Sequence, residues 1–336
     1  MSVYSRVLRY LLFGLGLLTL TLLVWHIGPG NIYEAAASLG PAALIAILIP
    51  SVIMYVLEAY GWRITLGPSA KHIPFWQILG IRTAGEVVNM TTPTAYVGGE
   101  PLKAYLLQKR NVPMVEGLAS VVIAKTTMTI AQILFILIGI ALGFWISGSH
   151  GSSGQFVAAA LLSVGLLLFG IVAFIFVQRH GLFTWILRML RKFGLRIGFL
   201  EVREEKLESL DQTILNFYTH HQGRFYASTG CYFLGWLAEA LEVFVIISYL
   251  GGPANVLSAI SIGGLAVFIK GGTFFIPGSL GAQDGGNLLL LKAFGYSDVT
   301  GITFALLRRF RELFWIGIGL VCLAVMGKME ARTRVR

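Results

Sequence analysis

The sequence predicts an all-α, multi-pass integral membrane protein made of two inverted-topology repeats, each with a re-entrant helical hairpin. Three observations carry that expectation. They are long apolar runs, an alternation in where lysine and arginine fall, and an ungapped match of the chain to itself at an offset of 184 residues, Pro93 meeting Pro277 (277 − 93 = 184).

The apolar runs set the class. Of 336 residues, 56% are hydrophobic and 12% charged, with a mean hydropathy of +0.77. A soluble domain carries about 25% charged residues. The runs Tyr10–Ile27, Pro41–Leu57, Gly117–Phe144, Phe156–Val177, Phe225–Leu250 and Gly301–Met326 approach or exceed the roughly 20 apolar residues that cross a bilayer core. Lipid tolerates only helices or closed barrels, and no alternating strand pattern competes. Arg6 and Arg9 precede the first run as in a signal peptide, but no small-residue cleavage site follows, so a retained helix is expected. Cys231 and Cys322 lie in apolar segments and form neither a disulfide framework nor a metal pattern. The histidines are scattered, with His220 and His221 on a polar loop, and neither metal-ligand spacing nor a phosphate-cradling loop occurs. No metal and no cofactor are expected.

The net charge of +10 raises nucleic acid as a partner, and its distribution argues against that. Of 26 Lys and Arg, 19 fall in the segments 1–9, 61–75, 99–116, 179–225 and 326–336, while 28–40, 144–155 and 249–256 hold none. Basic loops stay on the cytoplasmic side of a membrane. Both termini and the 179–225 linker, read as helices lying partly at the interface, are therefore expected in the cytoplasm, against anionic lipid. The expected location is the cytoplasmic (inner) membrane.

The self-match organises the chain as a single membrane domain, 1–336, with repeat one at 41–143 and repeat two at 225–326. At the same offset PTAYVGGE (93–100) meets PGSLGAQD (277–284), Leu57-Glu58 meets Leu241-Glu242, and Lys125 meets Arg309. Twelve of the 61 positions from 57 to 117 are identical to their partners. If 76–112 crossed the bilayer once, Lys103, Lys109, Arg110 and the whole 179–225 linker would lie outside. If it dips in from the cytoplasm and turns near Pro93–Gly99, every basic segment stays inside except Lys292, which 257–296 carries as a hairpin dipping from the other face. Internal inverted symmetry of this kind is common in transporters. A re-entrant tip exposes peptide groups at membrane depth, which cost several kcal/mol each unless packed in protein or wetted by a cavity. Pro93 and Pro277 stop a helix there, and Gly98, Gly99, Gly278 and Gly281 permit a tight turn and a close approach.

Ionisable side chains inside apolar spans are costly and mark functional sites. Glu58 and Glu242 fall on equivalent helices, as do Lys125 and Arg309. Arg308, Arg311 and Glu312 crowd the last run. Arg82, Glu86, Asn89, Glu100, Lys103, Lys270, Ser279, Gln283, Asp284 and Asn287 belong to the hairpins. Arg82–Glu86 and Arg308–Glu312 are four residues apart, so they also read as local pairs on one helix face.

Gly85-Glu86-x-x-Asn89, Pro93 and Gly98-Gly99-Glu100-x-x-Lys103, followed by Pro277-Gly278-Ser279-Leu280-Gly281-Ala282-Gln283-Asp284-Gly285 and Arg308-Arg309-x-Arg311-Glu312, resemble the transmembrane, flippase-like domain of lysylphosphatidylglycerol synthases, the multiple peptide resistance factors. The resemblance spans about residues 10–326. It implies movement of a lipid between leaflets, in a stand-alone member without the soluble aminoacyl-transferase domain, so lysyl transfer is not expected. On this reading a membrane lipid with a polar or anionic head group is the substrate, and an enzyme of lipid biosynthesis is the partner that supplies it. Lys125 and Arg309, with Arg308 or Arg311, would hold the anion. Glu58, Glu100, Glu242 and Asp284 would exchange protons or meet a cationic head. The rival expectations are an intramembrane transferase acting on a phospholipid or polyprenyl lipid, and an accessory subunit of a lipid-modifying enzyme. Nothing in the sequence specifies an oligomeric state.

Overall fold

Long apolar stretches rich in Leu, Ile, Ala and Gly become helices because a helix satisfies its own backbone in lipid. The structure, a computed structural model of the chain, describes residues 28–92, 98–147, 181–192, 204–273 and 281–332, together with 21, 25, 165–166, 168–170 and 172–178. The helices that position the site are α1 (Pro29–Leu66), α2 (Phe75–Thr91), α3 (Gly99–Gln108), α4 (Met114–Ser147), α5 (Leu182–Lys192), α6 (Glu204–His220), α7 (Gln222–Tyr249), α8 (Val256–Gly272), α9 (Ala282–Ala293) and α10 (Asp298–Arg332). Among the described residues three stretches, Leu39–Ala70, Met114–Ile146 and Gln222–Tyr249, are long and apolar enough to cross a membrane. The first exceeds the expected Pro41–Leu57, and α1 breaks at Gly40, whose φ is 77° just before Pro41. The expected span Gly301–Met326 lies inside the 35 residues of α10. Most of Tyr10–Ile27, half of Phe156–Val177, and the tip residues Pro93, Pro277, Gly278 and Ser279 lie outside the described residues.

The 184-residue offset reappears in helix boundaries and backbone conformation. Helix α3 starts at 99 and α9 at 282 (99 + 184 = 283), while α4 starts at 114 and α10 at 298 (114 + 184 = 298). Gly67 and Gly251 (67 + 184 = 251) both take positive φ, 60° and 72°, where the helices α1 and α7 end. Asn111 and Gly295 (111 + 184 = 295) do so again, 63° and 84°, in the turns that close the two hairpins. A left-handed residue at each turn sends the chain back beside the preceding helix.

Packing follows the same exchange. Helix α2 packs on α10 and α8 on α4; α3 packs on α4 and α9 on α10; α1 meets α10 and α7 meets α4. Swapping α1–α4 for α7–α10 maps each of these pairs onto another. Two apolar cores hold equivalent residues, Ile78 and Leu107 in one and Ile262 and Leu291 in the other, all fully buried, and each core also takes residues from the other quartet, such as Tyr232 in the first and Ile47 in the second. The hairpin helices α2–α3 and α8–α9 pack side by side. In the first hairpin Gly99 brings α3 against α2, since a Cβ there would strike the Gly85 carbonyl, and its N–H donates to Asn89 Oδ1 at 2.7 Å. Among the linker residues, α5 is an amphipathic helix whose N-terminus is held by Asp211 on α6, which accepts from the backbone N–H of Phe183 and Thr184.

The crossing of α4 and α8 is a second close approach of backbones. A Cβ added to Gly139 would lie 2.9 Å from Gly264 Cα, and Ser261 Oγ donates to the Gly139 carbonyl at 2.7 Å. Small residues of this kind let helices approach where no hydrophobic force draws them together. Gly139→Val should overpack the crossing and cost about 1–3 kcal/mol, read as a lower unfolding midpoint of the detergent-purified protein. Gly317→Ala, in open space on α10, should leave the midpoint unchanged or raised. Equal effects from the two variants would contradict this packing.

Candidate functional site

Charged side chains recur on the inner faces of the quartets at helical spacing. On α2, Arg82, Glu86 and Asn89 are four and three apart. On α4, Lys125, Met128, Thr129 and Gln132 form one stripe, and on α10, Arg308, Arg311 and Glu312 form another. Together with Tyr55 and Glu58 of α1, Trp236 and Glu239 of α7 and Lys270 of α8, these faces enclose a cavity of about 230 Å³, which of the residues named only Asn89 and Arg308 do not line. Asn89 stands beside the cavity, next to Glu86. A smaller cavity of about 20 Å³ adjoins it, shares Arg82, Glu86 and Lys125, and is bounded by Glu100 and Lys103.

The charges fall into four clusters, each balanced within itself. Arg82 pairs with Glu58. In the first hairpin, Lys103 lies 3.0 Å from Glu100 and 4.0 Å from Glu86, and Lys125 lies 3.8 Å from Glu100. In the second, Arg309 holds Asp284 through two bonds of 2.8 and 2.9 Å and Glu312 through one of 2.7 Å, and Lys270 lies 3.4 Å from Glu312. The fourth joins α10 to α7: Arg311 bonds Glu242 at 2.6 Å and Arg308 pairs with Glu239. That makes seven carboxylates (1 + 2 + 2 + 2) and seven cations (1 + 2 + 2 + 2) at these contacts. Removing one partner from a buried pair costs about 3–5 kcal/mol because the other charge is stranded.

The expectation of helix-local pairs is corrected here. Arg82 turns from Glu86 to Glu58 on α1, and Arg308 turns from Glu312 to Glu239 on α7. Pairs between helices win because buried charges must be met where helices cross, whereas an i,i+4 pair on a helix surface is worth only about 0.2–0.5 kcal/mol.

The structure brings Glu58, Glu86, Lys125, Lys270 and Arg311 to the main cavity and Glu100 and Lys103 to the adjoining one. Glu242, Asp284, Arg308 and Arg309 stand behind the wall, engaged with one another's clusters. Asn89 is a hinge pin of the first hairpin: Oδ1 accepts from Gly99 N–H, beside Gly98, and Nδ2 donates to Glu100 at 3.0 Å. Gln283 and Asn287 are buried on α9, and their side-chain oxygens find no hydrogen-bond partner among the described residues. Glu239, Tyr55, Trp236 and Trp315 are wall residues that sequence reasoning misses. Tyr55 stacks on Trp315 with ring centroids 3.6 Å apart and carries the Arg82 guanidinium 4.7 Å above its ring. Glu239 was open to the rule that flags charges in apolar runs. It escaped because its equivalent is Tyr55 (239 − 184 = 55), so repeat matching does not pick it out.

Residues 7–319 match the family model described as the lysylphosphatidylglycerol synthase TM region. A UPF0104 membrane protein of Methanothermobacter thermautotrophicus is 25% identical over 297 residues, which cover 85% of each chain. A UPF0104 membrane protein of Pyrococcus horikoshii is 23% identical over 323 residues, covering 92% of this chain and 93% of its own. No solved structure gives a significant match. With its apolar helices, its charge-lined cavity and a family match along nearly its whole length, the chain is a membrane protein that belongs to the lysylphosphatidylglycerol synthase TM region family.

Proposed function

We propose that the protein is a lipid translocase of the cytoplasmic membrane, a transporter rather than an enzyme. The observation that carries this reading is the cavity of about 230 Å³ whose charged wall comes from both helix quartets. A lipid head crossing hydrocarbon alone forfeits its hydration, and a polar chamber at membrane depth replaces it. The chamber is smaller than the roughly 300–1,000 Å³ of drug-sized ligand sites, which suits a head group whose acyl chains stay in lipid. In this reading the two quartets are inverted halves, and alternating access is their exchange of roles. The turn at Asn111, the 179–225 linker and both termini face the cytoplasm, near anionic lipid, and 144–155 faces outward. The driving force is a gradient or the supply of lipid.

The geometry separates the two bases that sequence reasoning groups together. Arg309 is 3% exposed and saturated by two carboxylates, whereas the Lys125 side chain is 33% exposed on the cavity wall. In proteoliposomes with a tail-labelled fluorescent phospholipid, Lys125→Gln should fold normally and slow leaflet exchange by about tenfold or more, the loss of one charge-assisted contact. Exchange at the native rate would overturn Lys125 as a binding residue. Arg309→Gln should instead lower stability by about 3–5 kcal/mol, stranding Asp284 and Glu312, read as a lower unfolding midpoint. Chemical conversion of the labelled lipid by purified protein, in place of leaflet exchange, would select the transferase reading.

A further inference from the structure

From the charge pattern of the cavity we infer that its cargo carries a zwitterionic head group, with the phosphate pole at Lys270 and Lys125 and the ammonium pole at Glu86. The inference rests on the translocase reading for transport, and on geometry alone for binding. The cavity wall holds four carboxylates, Glu58, Glu86, Glu239 and Glu312, and four cations, Arg82, Lys125, Lys270 and Arg311. The tip segments 93–97 and 274–280 contain no Asp, Glu, Lys or Arg, so they leave this balance untouched. A net-anionic head entering a balanced, low-dielectric chamber brings an uncompensated charge with it. A head with one charge of each sign does not.

The balanced charges are also unequal in their ties. Arg309 and Arg311 form ion pairs of 2.6–2.8 Å. Lys125 and Lys270 lie 3.8 and 3.4 Å from their carboxylates, with side chains 33% and 28% exposed. Glu86 is the loosest of the four wall carboxylates, 4.0 Å from Lys103 and accepting from Asn89 Nδ2 at 3.4 Å, with its side chain 20% exposed. Glu86 and Lys270 occupy equivalent positions on the two hairpins (86 + 184 = 270). The two hairpins thus offer opposite charges to one chamber from matching places, which fits a dipolar ligand lying between them. Two further donors without hydrogen-bond partners among the described residues, Arg82 Nη1 and Trp236 Nε1, belong to side chains on the same wall.

The test uses the full chain and two pairs of probes. Calorimetry in detergent with dihexanoyl phosphatidylethanolamine and dihexanoyl phosphatidylglycerol reads binding. Tail-labelled versions of the same two lipids in proteoliposomes read exchange. The zwitterionic probe should bind and exchange about tenfold better, the scale of one uncompensated charge in a partly buried site. Glu86→Gln should lose that preference by raising the anionic lipid at the expense of the zwitterionic one. Lys270→Gln should weaken both. Should Glu86→Gln fail to fold, Lys270→Glu must disfavour the anionic lipid more than the zwitterionic one. Equal or better binding of phosphatidylglycerol by the native protein, or a folded Glu86→Gln with an unchanged ratio, would overturn the assignment. A zwitterionic binding preference with no leaflet exchange of either lipid would count against the translocase reading and leave the cargo assignment standing. Exchange that favours phosphatidylglycerol would do the reverse.

Discussion

Pairwise neutralisation of charge inside the helix bundle is the interaction on which the rest of this structure depends. Seven carboxylates and seven cations meet in four clusters of zero net charge. None of these groups could be buried alone, since even a paired ion loses several kcal/mol of hydration on leaving water. The hairpins satisfy that condition locally, returning Glu100 to Lys125 and Asp284 to Arg309, 25 residues apart in each case. Helices α1, α7 and α10 satisfy it across the bundle through Glu58, Glu239 and Glu242. Cavity walls made of mutually compensated charges can stay polar without unfolding the bundle, and polarity there is what a lipid head requires.

The scaffold and the lining obey different rules. The start of α4 and α10, the left-handed turns at 67/251 and 111/295, and the packed helix pairs repeat at 184 residues, and the start of α3 and α9 does so to within one. The lining departs from that repeat at several positions that meet the cavity, although Glu58 keeps its match in Glu242. Arg82 is matched by Ala266, Glu86 by Lys270, Tyr55 by Glu239 and Met128 by Glu312. Backbone packing constrains both halves alike, whereas a ligand with two different ends needs a different side chain from each half. The shared base pair illustrates the division. Lys125–Glu100 and Arg309–Asp284 are equivalent, yet the lysine pair is open at 3.8 Å and the bidentate arginine pair closed at 2.8 Å.

Much of this was legible in the sequence. Helical class and three of the six expected spans follow from hydropathy. The self-match of Pro93 with Pro277 and of Lys125 with Arg309 anticipates the starts of α9 and α10 to within a residue, and it points to Glu100 and Asp284 as neighbours of those bases. The choice of ion-pair partner was not legible. Sequence spacing reports which residues share a helix face, so it proposes Arg82–Glu86 and Arg308–Glu312. It does not report how helices are rotated and crossed, and those crossings deliver Glu58 and Glu239 instead. Glu239, Trp236 and Trp315 were missed for a related reason. They lie where the two halves differ, and symmetry is silent there. The break at Gly40 is a conformational detail visible only as a Gly-Pro step.

The central claim is that two inverted halves share one charged chamber, and the sidedness of the two turns that close the hairpins tests it most directly. In a background lacking Cys231 and Cys322, single cysteines replace the exposed Gln108, at the end of α3, and the exposed Ser297, just before α10. A membrane-impermeant maleimide should label Gln108→Cys only from the cytoplasmic side and Ser297→Cys only from the outer side. Labelling of both cysteines from the same side would contradict the inverted arrangement.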